Sequence, residues 1–516
     1  MADTERVAAG SVGNLLRWRV AERPGHGFLY VEDDGPYTYA VIAGAAVRLH
    51  DALRANGVRR GDLVLVRIGN DERFAAAAFG VWMAGAGMIA MHPSAPRQDI
   101  IDVTESMRPS AIIADPADAI ARDAGLPVVD ARPFAPTGVE GDSYAGRFDV
   151  PADVAGSDTA LVLLTSGSTG KPKGVALTHD SAWSNLRATV SAFRSDTSPS
   201  PLPAEPKPPN LVANPLSHTA GVVRLLFALY VGRSIALLRK FDGVVAKRLI
   251  DRHGIDHLTI NPAMMRILLD QVPAGENLGP VRYASSGTAP LPTTLREEFE
   301  SRFGIPVLQA YGQTEAFGGI AIESVKDVLS GRRRPGSVGK PLPGVEVRIV
   351  DSEGVPVGPG EVGELLVRTK SSMRGYIGSN APPPMDPQGW LRTGDRGRFD
   401  ADGYLYITGR SKNIIICGGF NIVPEEIEAV LAQDPAVRDV VVLGIADARL
   451  GEIPVALVEG LDGPEAVLSR VAGRLASYKR PRRLFVVDSL PRVPNGKVDR
   501  PAATELARSL TAPAPQ

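Results

Sequence analysis

The chain has 516 residues, enough for roughly three structural units at about 150 residues each, and it can bury sizeable cores without disulfides or metals. Its 57 basic and 58 acidic residues nearly cancel, which argues against a protein built to grip nucleic acid. A single cysteine, Cys417, excludes an intramolecular disulfide framework and a four-cysteine zinc site, and 44% hydrophobic residues with 54 glycines and 43 prolines describe a globular, turn-rich chain. The opening MADTERVAAG is charged and lacks the apolar core of a secretion signal, so the expected compartment is the cytoplasm.

Up to about residue 155, apolar runs alternate with helical patterns. Leu63–Ile68, Met88–Met91 and Ala111–Ala114 read as strands of a parallel α/β layer. Phe74 to Met91 is eighteen residues without a charge, long enough to raise a membrane span. Gly85 and Gly87 break it, so it reads as a buried helix over 72–84 followed by a strand. The alternation resumes with Leu161–Thr165, Val175–Thr178, Asn210–Asn214, Ser234–Leu238 and Leu258–Ile260. Between 195 and 209, SDTSPSPLPAEPKPP predicts an extended loop outside the packed structure. From about 335 to 408 short strands at close spacing (Val345–Val350, Gly363–Arg368, Tyr404–Thr408) read as a small β unit. After 410 comes an α+β segment, with helices at Pro424–Leu431 and near 464–476 and strands at Val437–Leu443 and Leu484–Val487.

Two short patterns do not survive their context. Gly85-Ala-Gly87-Met-Ile-Ala90 fits a dinucleotide fingerprint, but it follows a helix and opens none. His253 and His257 have zinc-like spacing, but Gly254 ends a helix and His257 starts a strand, so the imidazoles point apart.

The strongest chemical signal is Thr165-Ser-Gly-Ser-Thr-Gly-Lys-Pro-Lys-Gly174. Gly167, Gly170 and Gly174 let the backbone approach an anion closely. The hydroxyls of Thr165, Ser166, Ser168 and Thr169 add donors, and Lys171 and Lys173 add charge. Pro172 after Lys171 rules out a Walker A loop, so the reading is a strand–loop–strand that closes on polyphosphate.

This segment resembles the signature of the adenylate-forming superfamily, which includes acyl-CoA synthetases. Further stretches resemble that family's other motifs in order: Ser286-Gly-Thr-Ala-Pro-Leu291, Tyr311-Gly-Gln-Thr-Glu315, Trp390-Leu-Arg-Thr-Gly-Asp395, Gly409-Arg-Ser-Lys412, Gly418-Gly-Phe-Asn421 and Pro494-Asn-Gly-Lys497. The resemblance covers nearly the whole chain. It implies an α/β fold whose large N-terminal domain, 1–408, has two α/β layers and a small β-barrel-like unit at about 335–408. A hinge at 409–412 and a small mobile α+β domain, 413–516, would follow.

The resemblance also implies a chemistry in two steps. A carboxylate attacks the α-phosphate of ATP, giving an acyl-adenylate and pyrophosphate; the thiol of CoA then displaces AMP. On this reading Thr165, Ser166, Thr169 and Lys173 hold the β- and γ-phosphates, Glu315 holds Mg2+, and Thr314 bonds the α-phosphate. Tyr311 stacks on adenine, with Gly287 and Thr288 on its other side, and Asp395 and Arg410 contact the ribose. Lys497 bridges carboxylate and α-phosphate. Rotation about Lys412 then brings Gly418 and Gly419 to the thiol passage, and Cys417 is a small buried residue.

Asn214-Pro-Leu-Ser-His-Thr-Ala-Gly221 resembles the motif bordering the acyl site, with His218 and Gly221 as candidate substrate contacts. No acidic residue lies between Asn214 and Lys240 to pair an α-ammonium group, and Gly221-Val-Val-Arg-Leu-Leu226 reads as the lining of a tail pocket. The expected acid is therefore fatty or aromatic. Ile377–Asp386 is shorter than in most members, and the proline-rich loop looks inserted. These departures keep open an acyl-carrier protein as acceptor, and a nucleotide-binding relative without turnover is the remaining alternative. Sequence leaves the oligomeric state open.

Overall fold

The computed structural model describes residues 10–511, apart from 133–146, 152, 167–171, 193–196, 206, 380–383, 411–412, 418–419, 448–449, 461–462, 472–473 and 476–478. A seven-stranded sheet runs in the order Gly375–Ile377, Pro172–Thr178, Thr159–Ser166, Gly87–Met91, Leu63–Arg67, Ala111–Ala114, Val128–Asp130. Its pairings are parallel from Thr159–Ser166 to the far edge. Helices cover such strands on both faces, which is why Gly87–Met91 and Ala111–Ala114 are buried throughout and read as unbroken apolar runs. Pro172–Thr178 and Gly375–Ile377 continue the sheet antiparallel.

The uncharged run that begins at Phe74 is resolved by packing. Asp71 caps the helix Glu72–Met83, its side chain accepting from the Arg73 amide. A side chain at Gly80 would lie 2.9 Å from the Ala46 carbonyl oxygen, so the small residues serve a close crossing with the helix Tyr39–Ala55. Among the described residues, no helix is long and apolar enough to cross a membrane.

A second layer holds two smaller sheets. One orders Asp34–Thr38, Gly27–Val31, Ile235–Leu237, Asn210–Val212; the other orders His257–Ile260, Tyr283–Ser286, Val307–Gln313, Gly318–Ile322, Lys340–Pro341. The β unit is the antiparallel ladder Glu346–Val350, Gly363–Arg368, Leu391–Phe399, Leu405–Arg410. A small C-terminal domain follows, built on Ile415–Cys417, Phe420–Ile422, Val437–Asp447, Gly451–Gly460 and Arg483–Val487. Its buried core runs from Ile415 to Ala507 and includes Cys417.

The proline-rich segment departs from the unpacked loop expected. Its described part has neither helix nor strand, but it is tied down. Buried Arg19 donates to the Ser200 carbonyl at 2.7 Å and to the Leu229 carbonyl, and the Ser200 amide donates to the Tyr230 carbonyl at 2.8 Å. His253 packs on the Tyr30 ring, whereas His257 stacks on Tyr283 and bonds Asp256, so the imidazoles do point into separate surroundings.

Candidate active site

Tyr311, Glu315, Asp395, Arg410, His218 and Lys497 come together where the second layer, the β unit and the C-terminal domain meet. Asp395 and Arg410 lie 15 residues apart but are direct cross-strand partners, and Arg410 Nε donates to Asp395 Oδ1 at 2.7 Å. The Tyr311 hydroxyl donates to Asp395 Oδ2 at 2.6 Å. Asp395 is only 2% exposed, so a buried carboxylate is held by two donors. Burial, then the Asp395 charge, raises the Tyr311 pKa well above its ordinary value and keeps the phenol a donor. Burial opposes the Arg410 charge, but Asp395 outweighs it and raises that pKa.

Thr314 and Glu315 sit on a 3-10 turn, Thr314–Ala316, and its carbonyls and that of Phe317 after it are fastened from three directions. The Met373 amide donates to the Glu315 carbonyl at 2.8 Å, the Ser371 hydroxyl to Ala316 at 3.0 Å, and the Asn185 side chain to Phe317 at 2.8 Å. The hydroxyls of Thr314 and Thr219 lie 2.9 Å apart. The Tyr376 hydroxyl donates to Glu315 Oε1 at 3.1 Å, and Lys173 Nζ lies 5.5 Å from the centre of the Tyr376 ring. The phosphate-loop hairpin is thereby joined to Glu315.

Thr165 pairs with Lys173 and Ser166 with Pro172 at the mouth of that hairpin. Gly167, Ser168, Thr169 and Gly170 lie outside the described residues, as do Lys412, Gly418 and Gly419. Thr288 follows the strand Tyr283–Ser286 with φ +69, a left-handed conformation that costs a β-branched residue. Its hydroxyl is buried without a partner among the described residues, as is that of Ser286. A side chain at Gly287 would lie 3.6 Å from the Ala310 carbonyl, so the position has ordinary room.

Lys497 enters this cleft from the C-terminal domain. The Asn261 side chain donates to the Asn495 carbonyl at 2.7 Å, and Gly496 lies against Ala263. Burial and then Arg410 lower the Lys497 pKa, against the pull of Asp395 and Glu315. His218 caps the helix Thr219–Val231 by accepting from the Ala220 amide. Burial and then Lys497 push its pKa down to about 4, leaving a neutral imidazole.

The acyl border adds two facts to the sequence expectation. Gly221 is buried, and a side chain there would lie 2.2 Å from the Pro215 carbonyl oxygen, so packing against that backbone requires a glycine here. Val222, Leu225 and Leu226 turn into the core, and the stripe left accessible is Ala220, Val223, Arg224, Phe227 and Val231. That lining is not purely apolar, because Arg224 belongs to it. Sequence reasoning also missed Thr219, Tyr376 and Asn261. Only Thr219, beside His218, lay within a motif.

A single carboxylate with a second free oxygen, beside a loop for phosphates, suits Mg2+, which is bound through one or two carboxylates plus substrate phosphates. Glu315, joined through Tyr376 to the phosphate-loop hairpin, fits this shared mode.

The AMP-binding enzyme family matches residues 16–377, and the AMP-binding enzyme C-terminal domain matches 426–497. The chain belongs to the adenylate-forming superfamily, in its acyl-CoA synthetase family. Such an enzyme is an AMP-forming acyl-CoA ligase that uses ATP and Mg2+ with CoA as co-substrate. The chain is 32% identical to 4-coumarate–CoA ligase-like 9 of Oryza sativa subsp. japonica, over 90% of this chain and 86% of that one. It is 32% identical to sulfoacetate–CoA ligase of Cupriavidus necator, over 97% and 98%. The ATP-bound crystal structure of MatB from Rhodopseudomonas palustris superposes with a TM-score of 0.82 at 27% identity, covering 97% of this chain and all of that one.

Proposed function

We propose that the cleft converts a carboxylic acid to its acyl-adenylate with release of pyrophosphate, and then passes the acyl group to the CoA thiol with release of AMP. The first step brings two anions together, so neutralising charge is the dominant need. Lys497 Nζ meets it where the acid oxygen and the α-phosphate meet. Thr314 bonds the α-phosphate, and Lys173 with the loop 165–170 holds the β- and γ-phosphates. Asp395, fixed by Tyr311 and Arg410, accepts from the ribose hydroxyls. Gly287 and Thr288 face adenine across Tyr311. Glu315, oriented by Tyr376, would hold Mg2+, which supplies further charge to the phosphates. His218, neutral, borders the carboxylate.

The observation that carries this reading is the docking of Asn495 on Asn261, which delivers Lys497 beside Asp395, Glu315 and His218. This is the adenylating arrangement. For the second step the C-terminal domain, 413–516, rotates about Lys412 and brings Gly418 and Gly419 to the thiol passage. An ordinary α-amino acid is disfavoured, since no acidic residue lies between Asn214 and Lys240.

The test is Lys497→Ala. Acid-dependent pyrophosphate release should fall roughly 10²–10³-fold, mainly in kcat, while a pre-made acyl-adenylate still yields thioester. Near wild-type pyrophosphate release would refute the assignment. Offering CoA beside a phosphopantetheinylated carrier protein identifies the acceptor.

A further inference from the structure

The partly exposed stripe of this helix contains a cation that no anion neutralises among the described residues. Arg224 lies on the helix Thr219–Val231, on the face shared by Ala220, Val223 and Phe227. Its guanidinium has no hydrogen-bond or ion-pair partner among the described residues. Burial presses its pKa down, with Tyr283 acting in the opposite sense, which puts the Tyr283 hydroxyl at the end of the strand Tyr283–Ser286 within electrostatic reach of Arg224. Side chains alternate along a strand, which puts Tyr283 and Ser285 on one face; His257 and Thr259 share it through the Tyr283 ring and the Ser285 hydroxyl. Both walls around Arg224 therefore carry polar groups.

Among the described residues, no acid on these walls is left to pair with it. Asp256 is already engaged by His257 at 3.0 Å, Arg282 at 3.1 Å and Arg233 at 3.2 Å. An arginine does not shed its proton in a protein, so it cannot relieve the cost of burial by neutralising itself. An anion entering the cleft would relieve it, and the planar fork of donors suits a carboxylate or sulfonate. Arg224 lies about 9 Å along the helix from His218, at about 1.5 Å per residue, and its side chain leans back towards that end. The helix thus offers two anion positions, Lys497 with His218 at the reacting end and Arg224 farther along it, at a separation that a short difunctional acid can span.

We infer that the acid substrate carries a second anionic group, a carboxylate or sulfonate remote from the reacting carboxylate, and that Arg224 binds it. The inference rests on the ligase reading above and narrows its substrate class. The neutral fatty or aromatic acid expected from the sequence is the competing substrate class.

The experiment measures pyrophosphate release by the full-length enzyme with ATP and Mg2+. Linear α,ω-dicarboxylic acids and sulfocarboxylic acids of increasing length are compared with monocarboxylic acids of matching length. The best difunctional acid should exceed its monoacid in kcat/KM by roughly 10–100-fold, the range for a hydrogen-bonded charged group. Arg224→Met should remove that advantage through KM, lowering kcat/KM for the difunctional acid far more than for its monoacid, and Arg224→Lys should restore part of it. ATP affinity, unchanged in both variants, certifies the fold. Wild-type preference for monoacids, or equal loss on both series in Arg224→Met, overturns the assignment and leaves the ligase reading standing. ATP binding without pyrophosphate release on any acid of either series overturns both.

Discussion

Asn261 is where the two half-reactions can be separated with least damage. Its Oδ1 accepts from the Met264 amide at 2.9 Å and caps the helix Pro262–Gln271, while its Nδ2 donates to the Asn495 carbonyl. Asn261→Asp keeps the cap, since aspartate is an equally good N-cap. It replaces the other donor by an oxygen that faces a carbonyl. Losing the bond and leaving two acceptors opposed costs about 1–3 kcal/mol, a roughly 5- to 150-fold loss in the weight of the docked arrangement. Adenylation, followed as acid-dependent ATP–pyrophosphate exchange, should slow by up to that factor. Thioester formation from pre-made acyl-adenylate should hold or quicken, because it uses the undocked arrangement. Equal loss in both assays together with a lower Tm would make Asn261 a fold residue, and unchanged exchange would remove it from the docking contact.

Two further outcomes follow from the same geometry. Tyr376→Phe leaves Glu315 without its hydroxyl donor, so the Mg2+ concentration for half-maximal pyrophosphate release should rise roughly 10-fold, with the rate recovering at saturating Mg2+; an unmoved midpoint would detach Tyr376 from the ion. His179 is buried, accepts from the Val12 amide at 3.2 Å, and has its pKa pushed by burial down to about 4. The unfolded chain takes up that proton near pH 6.5 and the folded chain does not, so stability is lost as pH falls from about 6.5 towards 4, by about 2 kcal/mol at pH 5. His179→Gln should reduce the difference in unfolding midpoint between pH 7 and pH 5, and an unchanged difference would refute the assignment.

What was legible in the sequence depended on how local each signal is. Gly87–Met91 and Ala111–Ala114 were readable because a strand buried on both faces needs apolar residues throughout. The phosphate loop was readable because its glycines, hydroxyls and lysines are contiguous. Asp395, Tyr311 and Arg410 were placed by resemblance alone, since sheet register and a crossing between layers bring them together. Tyr376 meets Glu315 across 61 residues and Asn261 meets Asn495 across 234; the local cap that Asn261 makes on Met264 marks a helix start and says nothing of that docking. Arg224 was hidden in an apolar run. Counting at helical period would have put it with Ala220, Val223 and Phe227, apart from Leu225 and Leu226. Arg19 likewise turned a segment read as loose into an anchored one, through backbone carbonyls that no side-chain pattern reveals.

Among the described residues, the buried C-terminal core begins at Ile415 and takes no member from earlier in the chain. A unit with its own core can lose its order while the rest stays intact, so heating the chain should produce two transitions instead of one. The lysine that completes the active site belongs to the smaller unit, while Asp395 and Thr314 belong to the larger. A ligand gripped from both sides couples their melting, because whatever binds only the assembled pair raises the weaker transition towards the stronger. The spacing between the two melting temperatures, with and without a stable acyl-adenylate analogue, would therefore serve as a calorimetric ruler for how firmly the two units hold a ligand in common.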